Sequence, residues 1–144
     1  MKNLNEIKLI LEESSGFSFL DIKIINNSLV CYSESQNLVE NIIQLKKHPK
    51  LKFRQLIDIL AVDFPSKEKR FEVIYLLLSH ENNLRITIKL QLEDKKSIQT
   101  LTGVFPSANW LEREVFDMHG INFAKHPDLR RILTDYDFEG FPLR

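Results

Sequence analysis

The chain has few of the residues that disulfide frameworks, metal clusters and phosphate loops require. Its 144 residues include one cysteine and four glycines. The lone Cys31 cannot form an internal disulfide, and it cannot supply the paired thiolates of an iron–sulfur centre. There is no glycine-rich phosphate loop and no nucleophile motif. We therefore expect a protein from a reducing compartment that binds no cluster of its own.

An excess charge and a long apolar run are lacking as well. Twenty basic and twenty acidic residues give a formal net charge of +0. Such a chain has no global field that would steer it toward nucleic acid or an anionic membrane. Its apolar runs are short, such as residues 74–78, whereas a membrane-spanning helix needs about 20 residues. We expect no nucleic-acid partner and no membrane span.

The chain does contain the apolar patterns of a mixed α and β domain. Apolar spacing of three and four residues predicts helices. Period-two alternation, as in residues 84–92, predicts strands, and Asn26 and Asn27 suit the turn of a hairpin. The predicted elements are helix 4–13, strands 21–25 and 29–32, a helix from residue 38 to near His48 and Pro49, strands 57–64, 71–78 and 84–92, and helix 108–118.

This order indicates one α+β domain in two layers. Helix-strand-strand-helix-strand-strand-strand-helix predicts a mixed sheet with helices on one face. The strand at residues 57–64 is expected to be largely buried. With 43% hydrophobic residues, a chain of this length suits a single domain spanning residues 1–144.

The predicted last helix, for which Pro106 and Ser107 offer an N-cap, has an apolar stripe that includes a carboxylate. At about 100° per residue, one arc of about 140° holds five side chains. These are Trp110, Leu111, Glu114, Val115 and Met118. Because a buried carboxylate needs a cation, we predict a structural ion pair between Glu114 and Arg130 or Arg131.

The other charged residues of this helix lie outside the arc. Glu112, Arg113 and Asp117 are therefore expected to face solvent or a partner. Gly120 can end the helix, and Pro127 can begin a short one that carries Asp128 in its first turn.

Three chemical alternatives for the tail are weaker than a structural role. Residues 135–140 imitate a calcium loop, but its twelfth position would fall beyond residue 144. Histidines and acids that could ligate zinc lack a recognised spacing: His119, His126, Asp117 and Asp128. Glu114 could act as a general acid or base, but an arginine partner would cancel the rise in its pKa. We predict no catalytic, cofactor-binding or metal-ligating residue.

Two long runs in the last third of the chain resemble a known family. Residues 106–118, PSANWLEREVFDM, and 126–135, HPDLRRILTD, closely resemble the C subunit of NADH-quinone oxidoreductase, a hydrophilic component of respiratory complex I. Gly120, Ile121 and Phe123 lie between the runs. The resemblance extends upstream through residues 53–58, 61–63 and 70–75, and it is weakest over the first 40 residues.

The resemblance implies a noncatalytic structural and assembly subunit of the peripheral arm of a proton-translocating NADH:quinone oxidoreductase. Its partners would be chiefly the subunit that shapes the quinone cavity and the cluster-bearing subunits. NADH, FMN, iron–sulfur clusters and quinone would all be bound by those partners. The protein would lie peripherally, on the cytoplasmic face of a bacterial inner membrane or the matrix face of the mitochondrial inner membrane.

The composition of the tail predicts that residues 119–144 form an extended interface segment. Aromatics with a charged rim are typical of interfaces, although a frayed terminus is the alternative. The predicted interface residues are Arg113, Asp117, His126, Asp128, Asp135, Tyr136, Phe138, Phe141 and Arg144. Relatives usually have an apolar or aromatic residue in place of His119, and they are expected to continue beyond Arg144.

Two other functions remain open. One is a homologous subunit of a membrane-bound hydrogenase or of another quinone reductase that shares the fold. The other, from a different class, is a metal-dependent enzyme that uses the acids and histidines of the tail. Metal analysis of the purified chain would distinguish the enzyme hypothesis from the two subunit hypotheses. The identity of the co-purifying proteins would distinguish the two subunit hypotheses from each other.

Overall fold

The computed structural model describes residues 2–130 and 140–144, which contain three α-helices and seven strands. A short 3₁₀ turn at Ser35–Asn37 precedes the second helix. The elements are α1 Leu4–Glu13, β1 Phe19–Ile25, β2 Ser28–Ser33, α2 Leu38–Lys47, β3 Gln55–Asp63, β4 Phe71–Ser79, β5 Leu84–Leu92, β6 Ser97–Gln99, α3 Ala108–His119 and β7 Asn122–Ala124.

The main sheet is mixed, as predicted. Its strand order is β1-β2-β5-β4-β3, in which β2 and β5 run parallel while the other neighbours are antiparallel. The hairpin between β1 and β2 turns at Asn26 and Asn27, whose φ angles are 51° and 61°. Asparagine tolerates this left-handed conformation, which matches the twist of the flanking strands. The predicted hairpin is therefore confirmed.

The core lies between the sheet and the helices. Along β4 the buried side chains alternate, so that Phe71, Val73 and Tyr75 point to the core while their neighbours are half-buried. Ile7 of α1 and Ile42 of α2 are fully buried and belong to the same apolar cluster. This arrangement confirms the predicted two-layer α+β fold.

The predicted burial of β3 is wrong. The strand forms, but it lies at the edge of the sheet, and Leu60 and Val62 are 44% and 39% exposed. A run of apolar residues cannot distinguish a central strand from an edge strand whose outer face is open. The register shift between Leu56 and Asp58 marks a bulge, which is common at sheet edges.

Three local features around α3 differ from the sequence-based expectations. Ser107 precedes α3 but makes no capping bond, because its hydroxyl donates to the Leu56 carbonyl of β3 at 3.2 Å. No helix follows Pro127 in the described residues up to 130. Strands β6 and β7 were not predicted. They pair in parallel as a separate two-stranded sheet, with Ser97 opposite Asn122.

Candidate functional site

The inner side of α3 carries a carboxylate that is shielded from solvent. Glu112 is 0% exposed, and it shares this side of the helix with buried Ala108 and Val115. One carboxylate oxygen accepts a hydrogen bond from the Leu101 amide at 2.8 Å, and the other accepts one from the Thr100 hydroxyl. The prediction that Glu112 faces solvent or a partner is therefore wrong. Neutral donors from the loop after β6 satisfy the carboxylate in place of a cation.

His126 lies beside this carboxylate and closes the cluster. Its Nε2 is 3.0 Å from the Asn109 carbonyl oxygen, and its Nδ1 accepts a hydrogen bond from the Asp128 amide at 2.9 Å. Both bonds fit a neutral ring that carries its proton on Nε2. The distance from Nε2 to the Glu112 carboxylate is 4.0 Å, and both side chains are 0% exposed. The structure thus places His126 inside the domain rather than on the outer surface predicted for it.

The Glu112 and His126 side chains of this cluster are both shielded from solvent. Burial raises the pKa of Glu112, and the hydrogen bonds from Leu101 and Thr100 partly oppose that rise. The Tyr75 hydroxyl of β4 is buried without a hydrogen-bond partner. Burial raises the pKa of Tyr75 well above its usual value, and the Glu112 charge adds to this effect. A carboxyl group of raised pKa suits proton transfer only where a substrate can approach it.

The donor sets of the described residues do not form a metal centre. No group of three or more histidine, cysteine, aspartate or glutamate side chains in residues 2–130 and 140–144 is placed to hold a metal ion. Burial raises the pKa of the Cys31 thiol to about 12, which disfavours the thiolate that binds metals. Most of the calcium-like motif at residues 135–140 lies outside the described residues.

The outer side of α3 exposes an aromatic ring. Trp110 is 50% exposed, and its indole N–H donates to the Glu114 carboxylate at 2.7 Å. Glu114 itself is half-buried, so the predicted burial of this carboxylate is wrong. Arg130, one of its two predicted partners, pairs instead with Asp128 at 3.1 Å. The other, Arg131, lies outside the described residues, so a pair between Glu114 and Arg131 stays a prediction.

Two further charged residues of α3 were predicted to face outward. Arg113 is half-buried, and its guanidinium carbon is 5.5 Å from the centroid of the Trp110 ring. Asp117 is 0% exposed, which contradicts its predicted exposure. The helical arc placed Arg113 and Asp117 on the side of α3 away from the core, but parts of that side are shielded from solvent.

Residues 140–144 form what we call the C-terminal clasp, which contacts the end of α3. The Phe141 ring lies 6.0 Å from the Phe116 ring in an edge-on arrangement. The Leu143 amide donates to the Met118 carbonyl at 2.9 Å. Gly120 allows this approach, because its φ is 73° and a Cβ there would lie 2.6 Å from Phe141.

Arg144 joins the clasp to a chain of alternating charges. Its guanidinium donates to the His119 carbonyl at 2.6 Å and to Asp94 at 2.7 Å. The Asp94 carboxylate lies 3.6 Å from Arg70 Nη1. Arg70 also donates two hydrogen bonds to the Asp63 carboxylate, from Nε at 2.6 Å and from Nη2 at 2.9 Å. These contacts join residues far apart in the sequence, and no local pattern signals them. Two predicted interface residues, Phe141 and Arg144, therefore contact the domain itself.

Two groups at this end have lowered pKa values, for different reasons. The hydrogen bond from Arg70 lowers the pKa of Asp63 below its usual value. Burial lowers the pKa of His119, while the Asp63 charge opposes that change. His119 is 6% exposed, and its ring meets the Phe71 ring edge-on at a centroid distance of 6.2 Å. The histidine therefore packs as an aromatic ring at the position where relatives were expected to have an apolar or aromatic residue. Of the other predicted interface residues, Asp128 is exposed and three lie outside the described part: Asp135, Tyr136 and Phe138.

The comparison with protein families gives one match over most of the chain. The family described as the respiratory-chain NADH dehydrogenase 30 Kd subunit matches residues 31–144. The C subunit of NADH-quinone oxidoreductase from Mesorhizobium japonicum is 42% identical over 142 residues, which are 99% of this chain and 71% of the relative. The same subunit from Wolbachia sp. subsp. Brugia malayi is 48% identical over 118 residues, 82% of this chain and 62% of the relative.

Two solved structures share the fold. The trypsin-resistant fragment (1-134) of Nqo5 is 28% identical with a TM-score of 0.67, covering 76% of this chain and 89% of that one. A chain of the membrane-bound sulfane sulfur reductase, an archaeal respiratory membrane complex, is 25% identical with a TM-score of 0.76, covering 92% of this chain and 77% of that one.

The matched region includes α3, the buried cluster around Glu112 and the clasp. None of the described helices is long and apolar enough to cross a membrane. The chain spans 62% to 71% of the length of the two curated relatives described above. It belongs to the family of the respiratory-chain NADH dehydrogenase 30 Kd subunit, whose relatives include the C subunit of NADH-quinone oxidoreductase.

Proposed function

We propose that the chain is a noncatalytic structural and assembly subunit in the peripheral arm of a proton-translocating NADH:quinone oxidoreductase. The observation that carries this proposal is the family match over residues 31–144. The geometry supports it, because the Glu112 and His126 side chains are enclosed and bonded within the domain. The chain supports electron transfer from NADH to quinone by holding the redox subunits in position.

In this proposal the cofactors belong to the partners. NADH, FMN, iron–sulfur clusters and quinone are bound by the other subunits, chiefly the quinone-cavity subunit and the cluster-bearing subunits. The chain reaches the membrane only through the complex, at the cytoplasmic face in a bacterium or the matrix face in a mitochondrion. The partner surface includes Arg113 and Asp128, and we assign Asp135, Tyr136 and Phe138 to it as well.

The test is complementation of a strain that lacks the protein. Native membranes from the complemented strain are solubilised, and the intact complex is quantified by co-purification and by NADH:quinone activity. We expect the full chain to restore both, and the purified chain alone to be colourless and inactive with NADH. A stoichiometric chromophore or bound transition metal in the purified chain would contradict the noncatalytic role and favour the metal-dependent enzyme.

A second candidate is the equivalent subunit of a related membrane complex with another electron donor, such as a membrane-bound hydrogenase or another quinone reductase. The similarity to the archaeal sulfane sulfur reductase chain favours it. The co-purifying proteins decide between the two. Recovery of NADH-oxidising, flavin-bearing subunits supports the first proposal, whereas recovery of a hydrogenase or sulfur-reducing subunit supports the second.

A further inference from the structure

Trp110 and Arg113 form a preorganised pair on the outer side of α3, which we call the Trp–Arg platform. The indole is half exposed, and the Arg113 guanidinium carbon lies 5.5 Å from its centroid. The hydrogen bond from the indole N–H to Glu114 holds the ring in place before any partner arrives. Tryptophan and arginine are enriched among the residues that contribute most to protein binding, and prior ordering reduces the entropy lost on association.

One nitrogen of the Arg113 guanidinium has no hydrogen-bond acceptor. Its Nε is shielded from solvent and has no hydrogen-bond partner, and no ion pair links it to another described residue. Four other arginines of the described part each contact a carboxylate, namely Arg54, Arg70, Arg130 and Arg144, whereas Arg85 is exposed to solvent. Because arginine keeps its charge at any physiological pH, Arg113 is a half-buried cation with no paired carboxylate among residues 2–130 and 140–144.

We propose that the Trp–Arg platform binds an acidic side chain of a partner subunit. The guanidinium of Arg113 receives the aspartate or glutamate carboxylate, and the indole of Trp110 packs against the carbon atoms beside it. Arginine suits this task because its planar fork can donate two parallel hydrogen bonds to one carboxylate. The inference rests on the proposed function, since it specifies the chemistry of a partner that the function requires.

The charges around the platform favour a single protein carboxylate over an anionic surface. Recognition of a membrane or of nucleic acid uses clusters of several cations. Here the platform has one cation, Arg113, and the Glu114 carboxylate is bonded to the indole, while the whole chain has a formal net charge of +0. A single carboxylate matches the one guanidinium of the platform, whereas an extended anionic surface would find no second cation in it.

The experiment measures binding of the purified chain to the complex from a strain that lacks this protein. Arg113→Ala is expected to weaken binding about 10- to 100-fold, and Arg113→Lys to recover part of the loss. Arg85→Ala is the matched control, because Arg85 is an exposed arginine on β5, away from α3. Melting temperatures of all variants show whether each one folds.

A crosslink identifies the chemistry of the partner. A photoreactive phenylalanine analogue replaces Trp110, and the crosslinked peptide from the complex is sequenced. We expect a peptide of another subunit with an aspartate or glutamate within a few residues of the crosslink. A peptide without acidic residues, a crosslink to a second copy of this chain or to lipid, or full binding by Arg113→Ala would each overturn the inference.

The outcomes separate this inference from the proposed function. If the unaltered chain does not bind the depleted complex, the proposed function fails. If the unaltered chain binds and Arg113→Ala binds equally well, the function stands and the platform has no part in it. If Arg113→Ala does not fold, Trp110→Phe in the intact chain takes its place, since it keeps an aromatic ring but loses the bond to Glu114.

Discussion

In the first half of α3 the Glu112 carboxylate is buried beside a neutral histidine, whereas beyond the other end of the helix Asp63 and Asp94 contact two arginines. Glu112 is satisfied by an amide and a hydroxyl, and its side chain is 0% exposed. The arginines that contact the aspartates have side chains that are 25% and 27% exposed. One molecule thus stabilises carboxylates by two different means.

The difference indicates which end holds the fold together. A buried group that loses its partner suffers the full cost of desolvation, which is about 1–3 kcal/mol for a donor or acceptor. An ion pair open to water, such as Arg144 with Asp94, contributes about 0–1 kcal/mol because water and salt screen it. We infer that the Glu112 cluster stabilises the domain and that the ionic network chiefly positions the clasp.

The largest effect is expected for Glu112→Ala. The change leaves the Leu101 amide without its acceptor and opens a space in the interior. We expect the free energy of unfolding to fall by about 2–4 kcal/mol, measured by urea denaturation. Glu114→Ala is the control on the same helix, and it should cost about 0–1 kcal/mol because Glu114 is only half-buried. Equal losses in the two variants would remove the distinction between the two sides of α3.

Gly120→Ala tests the close contact between α3 and the clasp. The left-handed φ of 73° strains any residue with a Cβ, and that atom would lie 2.6 Å from the Phe141 ring. We expect a loss of about 1–2 kcal/mol in the free energy of unfolding. Gly103→Ala is the control, because an added Cβ there meets nothing within 4 Å. A harmless Gly120→Ala would show that neither the left-handed φ nor the contact with Phe141 constrains this position in solution.

The sequence predicts the fold where the pattern is local. The structure has helix α1 at Leu4–Glu13 and strand β5 at Leu84–Leu92, as their apolar spacing indicated. Strands β6 and β7 could not be predicted, because each has three residues and Ser97 pairs with the distant Asn122. Strands this short carry too few residues to show a period.

The site was only partly predictable for a related reason. A helical arc ranks positions by apolarity, so it counted Trp110 as buried and assigned Glu112 to the outside. In the structure Glu112 is buried, because the Leu101 amide in the loop after β6 donates a hydrogen bond to its carboxylate. The Trp110 side chain is instead 50% exposed. Backbone donors leave no mark in the sequence. The motif in α3 predicted the family, which the comparisons confirm, but not the direction in which its charges point.

The two carboxylates should respond to pH in opposite directions, an effect smaller than the truncation of Glu112. The pKa of Glu112 is raised in the fold, so its contribution is greatest below the ordinary value of 4.5 and is lost as pH rises above it. The pKa of Asp63 is lowered, so its contribution is present above 3.8 and is lost as pH falls below it.

This contrast is measured as the difference in unfolding free energy between the unaltered chain and each isosteric variant across the acidic range. The advantage over Glu112→Gln should shrink as pH rises, and the advantage over Asp63→Asn should shrink as pH falls. If both differences in unfolding free energy changed with pH in the same direction, the opposite pKa shifts of Glu112 and Asp63 would be contradicted.

The smallest effect on global stability is expected for Arg144→Ala. The variant loses the bonds to Asp94 and to the His119 carbonyl, but both charged side chains are part-exposed, so the loss should stay below about 1 kcal/mol. The local effect should be larger. The Leu143 amide donates to the Met118 carbonyl only while the clasp lies on α3, so its hydrogen exchange should accelerate.

Arg130→Ala provides the comparison for Arg144→Ala, because Arg130 pairs with Asp128 at the surface and their side chains are 56% and 48% exposed. It should leave exchange at Leu143 unchanged. High salt should accelerate that exchange in the unaltered chain and have little effect in Arg144→Ala, since screening weakens the same ion pair that the variant removes. Exchange at Leu143 that responds to neither salt nor Arg144→Ala would mean that Phe141 packing holds the clasp, and that the ionic network serves another purpose.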